Sequence, residues 1–305
     1  MVIPVDVCIA TFRRPHLLAR LLTSLTAQRL EGIAMRIIVI DNDIDGSARA
    51  VAAGVYPLAG AGAAPDIVYH IEPEQSIALA RNRAMRHVRA ACFAFVDDDQ
   101  TVSQYWLASL LHCMCEFQCD VVFGPVVSEL PADAPSWALP CFAKPLHGTG
   151  DVMQYGGSGN VLIRTRAVTA MRFDPAFGLT GGEDTDFFHR LHQAGVRMVW
   201  CEEASATEPV SPARLTLASL RRRGFRDGQN YARIFVKPTS PWRKLGWSIG
   251  KLAQLGGGLL LAPVMRCVSY RRYVALTVRL AAATGQLATL VSDGYLEEYR
   301  VTGKR

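Results

Sequence analysis

The sequence predicts an α/β fold built on a mostly parallel, Rossmann-like sheet flanked by helices. Short apolar runs, each typical of a buried strand, alternate along the chain with segments of helical periodicity. The run Cys92 to Val96 is the clearest, and three consecutive acids follow it: Asp97, Asp98 and Asp99. Strands that alternate with helices form parallel sheets, and ligands bind at the carboxyl ends of those strands. The three acids therefore indicate the position of a cleft.

The other elements follow in the same rhythm. A strand at residues 5–10 leads into a helix at 15–28, whose leucines share one face. Ser76 stands at the N-cap position of a helix predicted at 76–89. Further strands are predicted at 36–40, 67–71, 120–123 and 161–164, and further helices at 47–53, 103–117 and 183–194.

Two stretches interrupt this alternation. Residues 54–65 are rich in Ala, Gly and Pro, which predicts an exposed connection. Residues 131–150 contain four prolines and Trp137, and this stretch is too long for a simple turn. Because long loops beside a cleft often carry binding residues, Trp137 is a candidate for stacking on a sugar, the alternative being that it pins the loop.

Charge divides the chain into two parts. Residues 236–305 carry eleven Lys and Arg against three Asp and Glu, a net charge of +8, whereas residues 1–235 carry 22 against 24, a net charge of −2. We predict a catalytic domain at 1–235 and a basic, apolar, helical appendage at 236–305 that associates with membranes. Because the candidate catalytic part is not basic, no nucleic-acid partner is predicted.

The cysteines indicate a reducing compartment. Eight are scattered along the chain, and only Cys113, Cys115 and Cys119 cluster, at a spacing that matches no zinc pattern. Buried free thiols are the interpretation we favour. The N-terminus enters a strand pattern without a basic segment or cleavage site, which argues against secretion.

Polar residues follow the first two predicted strands, where a doubly wound sheet holds a nucleotide. Thr11 and Arg13 follow the first strand, and Asp41 ends the second. A carboxylate there can bind ribose or base, and a cation can bind phosphate. Asp41 has an alternative role in capping a turn with Asn42. Arg81, early in the helix at 76–89, is placed to direct a guanidinium at phosphate.

Two acidic groups are candidates for the chemistry itself. Three adjacent carboxylates repel one another, so Asp97 to Asp99 predict a divalent cation between them. The second group, Glu183 and Asp184, follows two glycines at a helix start. Helix capping is the simpler interpretation of these acids. A general base, however, needs an ionised carboxylate close to the acceptor, and Gly182 lets an acceptor approach the backbone.

Seven segments, taken in order, resemble a family-2 inverting glycosyltransferase of the A-type fold. They most resemble bacterial enzymes that build exopolysaccharides such as succinoglycan, and they span about residues 5–231. The segments are VDVCIATFRRP, VIDND, ALARNRA, FVDDDQ, GGSGNVLIR, GGEDTDFFHRL and RRRGFRDGQN. The resemblance implies an enzyme that transfers a hexosyl group from a nucleotide-diphosphate sugar, with Mg²⁺ or Mn²⁺ as the cofactor.

The resemblance also implies roles for individual residues. The donor would be bound by Thr11, Asp41, Arg81 and Asp97. Arg13 and Asp98 are further donor-binding candidates because they also follow strand ends. The metal would be held by Asp97 and Asp99, with Glu208 standing where many relatives supply a histidine. Asp184 would be the catalytic base and Glu183 an acceptor-side ligand. Gly182 and Trp137 are further acceptor-binding candidates because of their positions in the glycine turn and in the long loop. Arg223 and Arg226 are diphosphate candidates, and a solvated or lipid-facing surface is the alternative for that arginine-rich helix.

The C-terminal part contains two apolar helical patterns, at residues 245–264 and 273–291. Their uninterrupted apolar runs are shorter than the roughly 20 residues of a spanning helix. Spanning would also export the arginines of the connection, against the positive-inside tendency. We therefore predict a peripheral or monotopic hairpin on an anionic membrane surface, at the cytoplasmic face of the inner membrane. Packing or dimerisation, and true spanning, are the alternatives.

This location implies a lipid-linked or saccharide acceptor. Two other functions stay open at this point. A sugar-phosphate nucleotidyltransferase would need a glycine-rich phosphate loop with a lysine, but residues 11–15 contain neither. A catalytically inactive, membrane-docked assembly subunit would have no evident reason to keep both acidic groups.

Overall fold

The computed structural model describes residues 2–54, 66–143 and 146–299. Most of the predicted connection at 54–65, and two residues of the loop at 131–150, lie outside these ranges. The first half of the fold contains β1 (Ile3–Thr11), α1 (Pro15–Thr26), β2 (Ile33–Asp41), α2 (Arg49–Ala52), β3 (Asp66–Ile71), α3 (Ile77–His87), β4 (Cys92–Val96), β5 (Thr101–Val102), α4 (Trp106–Glu116) and β6 (Val121–Phe123).

The second half contains β7 (Val126–Glu129), α5 (Leu139–Phe142), β8 (Asn160–Arg164), α6 (Glu183–Gln193), β9 (Met198–Trp200), β10 (Ala206–Pro209), α7 (Leu217–Tyr231), α8 (Pro241–Val268) and α9 (Tyr270–Val291). A π-helical turn, Ala232–Val236, continues α7. Short 3₁₀ helices cover Thr165–Val168, Pro175–Phe177 and Pro212–Leu215.

The predicted fold class is confirmed. A seven-stranded sheet has the order β3-β2-β1-β4-β8-β6-β9. All of its pairs are parallel except those of β8, which runs antiparallel to both β4 and β6. A small three-stranded sheet, β5-β10-β7, lies outside the sequence-based prediction because its strands are too short to show a period. It carries Glu208 on β10.

Apolar side chains pack on both faces of the large sheet and fix its register. The leucines of α1 and the apolar face of α4 cover one face. Side chains from α3 and α6, including Phe187 and Phe188, cover the other. Every residue of β4 is buried between these layers. Burial on both faces explains why β4 reads as a continuous apolar run, and why the chain becomes acidic where the strand leaves the core.

Helix α7 packs against α9 through glycines that bring the two backbones together. A Cβ atom on Gly228 would lie 2.1 Å from the carbonyl oxygen of Ala282, and one on Gly285 would lie 2.0 Å from that of Phe225. Any side chain at these positions would force the helices apart. The division of the chain at residue 235 stays a prediction, but α9 is packed directly on the preceding part.

The segment that follows α9, residues 292–299, returns to the carboxyl edge of the large sheet; we call it the C-terminal strap. The side chain of Gln229 accepts a hydrogen bond from Leu296 N and donates one to Gly294 O, both at 2.9 Å. Further along, the Leu179 carbonyl accepts from the backbone N–H groups of Glu298 and Tyr299, at 2.9 and 3.1 Å. These bonds bring Glu298 and Tyr299 to the cleft.

Candidate active site

The three acids after β4 form the floor of the cleft. Thr11 Oγ1 donates to Asp98 Oδ2 at 2.7 Å, and Arg14 Nη1 lies 3.1 Å from Asp99 Oδ2. Burial raises the pKa of Asp98 to about 6. Burial, followed by the charges of its acidic neighbours Asp97, Asp98 and Glu208, raises the pKa of Asp99 to about 7. Arg14 is partly exposed and carries one positive charge, which does not balance the several carboxylates around Asp99.

Arg81 of α3 joins the two acidic groups that the sequence separates. Its Nη2 lies 3.0 Å from Asp97 Oδ1, and its Nη1 forms an ion pair with Glu183 Oε1. Both Arg81 and Glu183 are buried. Burial raises the pKa of Glu183 to about 7, and the Arg81 charge opposes that rise. The second oxygen, Glu183 Oε2, is buried without a hydrogen-bond partner.

The two glycines before α6 allow this helix to begin inside the cleft. Gly181 and Gly182 have φ angles of 77° and 88°, a left-handed conformation that strains other residues. A Cβ atom on Gly182 would also lie 2.8 Å from Asn230 Cγ of α7. The next residues are Glu183 and then Asp184, whose Oδ1 accepts from the Thr185 N–H at 2.7 Å.

Three cavities adjoin at this site. The acidic cavity, about 410 Å³, is lined by Asp97 to Asp99, Glu208 and three arginines of α7, which are Arg222, Arg223 and Arg226. The α6 cavity, about 370 Å³, is lined by residues 181–185 and by α7 residues that include Asn230 and Tyr231. The β1 cavity, about 220 Å³, is lined by Thr11, Phe12 and Ile77. The acidic and α6 cavities share the side chains of Arg81, Asp97, Arg226 and Tyr299.

Asp99 lines the acidic cavity and Asp184 lines the adjoining α6 cavity, although 85 residues separate them in the chain. One part of the site thus carries clustered oxygen ligands, and the next part carries a carboxylate at a helix start. An anionic group that needs a cation and a hydroxyl that must lose a proton would fit side by side.

Comparison with known proteins identifies the family. The family model described as "Glycosyl transferase family 2" matches residues 6–176. The chain is 34% identical over 306 residues to the succinoglycan biosynthesis protein ExoM of Rhizobium meliloti (strain 1021), covering 97% of this chain and 95% of that protein. The chain belongs to glycosyl transferase family 2. It is also 28% identical to a pre-mycofactocin glycosyltransferase of Mycobacterium tuberculosis (strain ATCC 25618 / H37Rv), covering 91% of this chain and 62% of that protein.

Solved structures share the fold of this chain. The mannosyltransferase PcManGT of Pyrobaculum calidifontis, in complex with GDP-Man and Mn²⁺, has a TM-score of 0.62 at 17% identity, covering 94% of this chain and 86% of that one. S. aureus TarS 1-349 in complex with UDP-GlcNAc has a TM-score of 0.54 at 14% identity, with coverages of 95% and 92%. At these identities the likeness shows the fold, the A-type glycosyltransferase fold that the sequence predicts.

Most of the predicted site residues of this glycosyltransferase line the cleft. The acidic cavity includes Asp97, Asp98, Asp99, Glu208, Arg81, Arg223 and Arg226. The α6 cavity includes Gly182, Glu183 and Asp184, and the β1 cavity includes Thr11. Their roles stay predictions, but the structure brings them to one site.

Three other predicted residues lie elsewhere. Asp41 is fully buried, and its carboxylate accepts hydrogen bonds from the Asp43 N–H, the Ala48 N–H and the Tyr69 hydroxyl. Arg13 turns toward two acids of the β2 turn, and Trp137 packs edge-on against Tyr270 of α9 at 5.8 Å. Within the described residues, the lining of the three cavities includes none of these three. Asp41 thus makes the contacts of a residue that caps a turn, and Trp137 makes a contact that can pin its loop.

Sequence reasoning missed the residues that the C-terminal strap brings to the cleft. Tyr299 lines all three cavities, and Glu298 lines two of them. Glu298 Oε2 lies 3.2 Å from Arg226 Nη1. No local pattern marks this segment, because its position depends on long-range hydrogen bonds to α7 and to Leu179.

Proposed function

We propose that this glycosyltransferase is a metal-dependent, inverting enzyme that moves a hexosyl group from a nucleotide-diphosphate sugar to a hydroxyl acceptor. The observation that carries the proposal is the buried Arg81, which pairs with both Asp97 and Glu183. This link joins the acids after β4 to the start of α6. Donor phosphate and acceptor hydroxyl would therefore meet within one continuous opening.

The candidate metal ligands fit a divalent cation. Asp97, Asp99 and Glu208 offer carboxylate oxygens, the ligands that Mg²⁺ and Mn²⁺ prefer. Burial, followed by the charges of the neighbouring acids, raises the pKa of Asp99 to about 7. Among the described residues, no three His, Cys, Asp or Glu side chains already form a metal-binding group. Each of the three candidates is near an arginine, with Arg14 beside Asp99 and Arg214 beside Glu208. When bound, the cation would neutralise charge on the leaving diphosphate.

The residues of this chain would supply the rest of the reaction. The acceptor oxygen forms a bond to the anomeric carbon as the carbon–oxygen bond to the diphosphate breaks, and the electron pair leaves with the phosphate. Asp184, in the first turn of α6, takes the hydroxyl proton. Arg226 at the shared wall is placed to stabilise phosphate charge. One base and one displacement give inversion.

A panel of nucleotide-diphosphate sugars tests this function directly. We expect metal-dependent release of a nucleoside diphosphate from one donor class when an acceptor is present. Release of pyrophosphate instead would identify a sugar-phosphate nucleotidyltransferase. No turnover by the folded protein with any donor and acceptor would support the inactive assembly subunit.

Replacing Asp99 by Asn is expected to remove metal-dependent donor binding. The substitution takes away a charged oxygen from the most crowded part of the acid cluster. Calorimetric titration with the donor, with and without Mn²⁺, measures the effect. Asp45→Asn is the matched control, because Asp45 is exposed and pairs only weakly with Arg13 at 3.5 Å. If Mn²⁺ strengthens donor binding equally in Asp99→Asn and in the wild type, Asp99 is not a metal ligand.

For the acceptor we propose a lipid-linked oligosaccharide used at the cytoplasmic face of the inner membrane. Both α8 and α9 are long and apolar enough to cross a membrane by length and composition, with mean hydropathies of 1.2 and 1.5 over their most apolar windows. Only 6% of that window of α8 is buried. Exposed apolar side chains and the basic charge of this part together favour an anionic lipid surface. The similarity to ExoM supports an acceptor used in exopolysaccharide synthesis.

Flotation with liposomes tests the membrane proposal. We expect the protein to float with phosphatidylglycerol vesicles, to float less at high salt, and to be released by alkaline carbonate. Leu260→Ser should weaken flotation, because Leu260 is 80% exposed on α8. Leu146→Ser is the matched control, since this 96% exposed leucine lies outside the hairpin. Indifference to anionic vesicles would contradict the proposal, and resistance to carbonate would favour spanning helices.

A further inference from the structure

The C-terminal strap completes the walls of the active site. Tyr299 lines the acidic, α6 and β1 cavities, so its side chain lies where all three adjoin. Its ring carbon Cε2 is 3.6 Å from the position that a Cβ atom of Gly181 would take. Although Tyr299 as a residue is 40% exposed to solvent, the surroundings of its hydroxyl raise the pKa of that group, first by burial and then by the charge of the nearby Glu183 carboxylate. The hydroxyl therefore keeps its proton at neutral pH.

The strap is fixed by many contacts along its length. Its backbone is bonded to Gln229 and to Leu179, and Gln75 Nε2 donates to the Tyr299 carbonyl. Lys237 pairs with Asp293. These contacts come from α7, from Lys237 after the π-helical turn, from the residues before α3 and from the loop before α6. The backbone of Tyr299 is therefore held in place at the cleft, which limits the positions open to its ring, as a substrate-contacting residue requires.

The position of the reacting sugar follows from the chemistry of inversion, and this step rests on the proposed function. The anomeric carbon is bonded to the leaving phosphate on one side and approached by the acceptor hydroxyl on the other. It must therefore lie where the acidic cavity meets the α6 cavity. Four side chains line both cavities: Arg81, Asp97, Arg226 and Tyr299.

The four shared side chains differ in what they can offer to a sugar. Arg81 and Asp97 pair with each other, and Arg226 pairs with Asp227 and Glu298. Tyr299 alone among the four is neutral and aromatic. An aromatic ring with a polar end offers an apolar face to the sugar C–H groups and a hydroxyl to its oxygens.

We propose that Tyr299 contacts the transferred sugar and is a specificity-determining residue of this glycosyltransferase. The C-terminal strap then has a defined role, which is to carry one wall of the sugar subsite into a cleft built mainly by residues 1–235. Glu298 supports that wall by its ion pair with Arg226.

Binding measurements separate the sugar from the rest of the donor. For Tyr299→Ala we expect the affinity for the intact sugar nucleotide to fall about tenfold, whereas the affinity for the matching nucleoside diphosphate changes much less. The steady-state KM for the donor should rise in parallel. Tyr299→Phe should retain most of the affinity if the ring face carries the contact. If the wild type prefers one of two donor sugars, the ratio of its affinities for them should be smaller in Tyr299→Ala.

Tyr295→Ala is the matched control on the same strap. Tyr295 packs over the guanidinium of Arg233 at 4.6 Å and is outside the lining of the three cavities. Equal losses in Tyr299→Ala and Tyr295→Ala would show that only the order of the strap matters, which overturns the proposal. If the wild type is active and Tyr299→Ala keeps the wild-type ratio of sugar-nucleotide affinity to nucleoside-diphosphate affinity, the role of Tyr299 is overturned and the proposed function stands. A wild type that binds no sugar nucleotide overturns the proposed function as well.

Discussion

Asp184→Asn is expected to abolish sugar transfer while donor binding stays intact. The carboxylate lines the α6 cavity, next to the cavity that holds the acids after β4. An amide of nearly the same shape cannot accept the hydroxyl proton, so we expect the rate to fall by about 10² to 10⁴, the usual contribution of a general base. Single-turnover transfer measures the loss, and titration with the nucleoside diphosphate checks that donor binding is retained.

The same helix provides a matched control for this experiment. Asp186 lies two residues further along α6, and its Oδ2 accepts from Arg190 Nε at 2.9 Å. It is absent from the lining of the α6 cavity. Asp186→Asn removes the same charge from the same helix start, so any general effect on the helix dipole appears in both variants. Transfer at the wild-type rate in Asp184→Asn would assign the base to another residue.

The strand ends were the part of the site that the sequence could predict. A buried strand must be apolar until it leaves the core, so the acids after β4 mark a sheet edge without any knowledge of the fold. The pair of glycines before Glu183 and Asp184 is equally local, since the positive φ angles it permits are a property of two residues. Such signals can be recognised in the sequence alone because residues that are neighbours in the chain determine them.

The rest of the site depends on contacts that form only when the chain has folded. Asp41 is the last residue of β2, close to a strand end as Asp97 is, but the Tyr69 hydroxyl and two backbone N–H groups donate hydrogen bonds to its carboxylate. Trp137 meets Tyr270, which is more than a hundred residues away in the chain. Tyr299 enters the cleft because Leu179 and Gln229 bind the strap. None of these contacts leaves a period or a motif in the sequence.

Arg81→Met is expected to destabilise the fold strongly, because Arg81 is the partner of a buried acid. Side-chain exposure is 7% for Arg81 and 3% for Glu183, so the methionine would leave a carboxylate without a counter-charge in the interior. Removing one member of a buried ion pair costs about 3–5 kcal/mol. The contact with Asp97 adds little to this figure, since the Asp97 side chain is 42% exposed. Urea denaturation at neutral pH measures the change.

The pH dependence of that loss identifies its cause. In the wild type, burial already raises the pKa of Glu183 to about 7 against the opposing charge of Arg81. Without Arg81 the folded-state pKa rises further, whereas the unfolded value stays near 4.3. The folded variant then binds more protons than the unfolded chain above that value, so its stability falls as pH rises. We expect a larger deficit at pH 8 than at pH 5, and we expect Arg81→Met combined with Glu183→Gln to recover most of it. A deficit that is equal at both pH values would mean that lost packing, rather than the unpaired carboxylate, destabilises the variant.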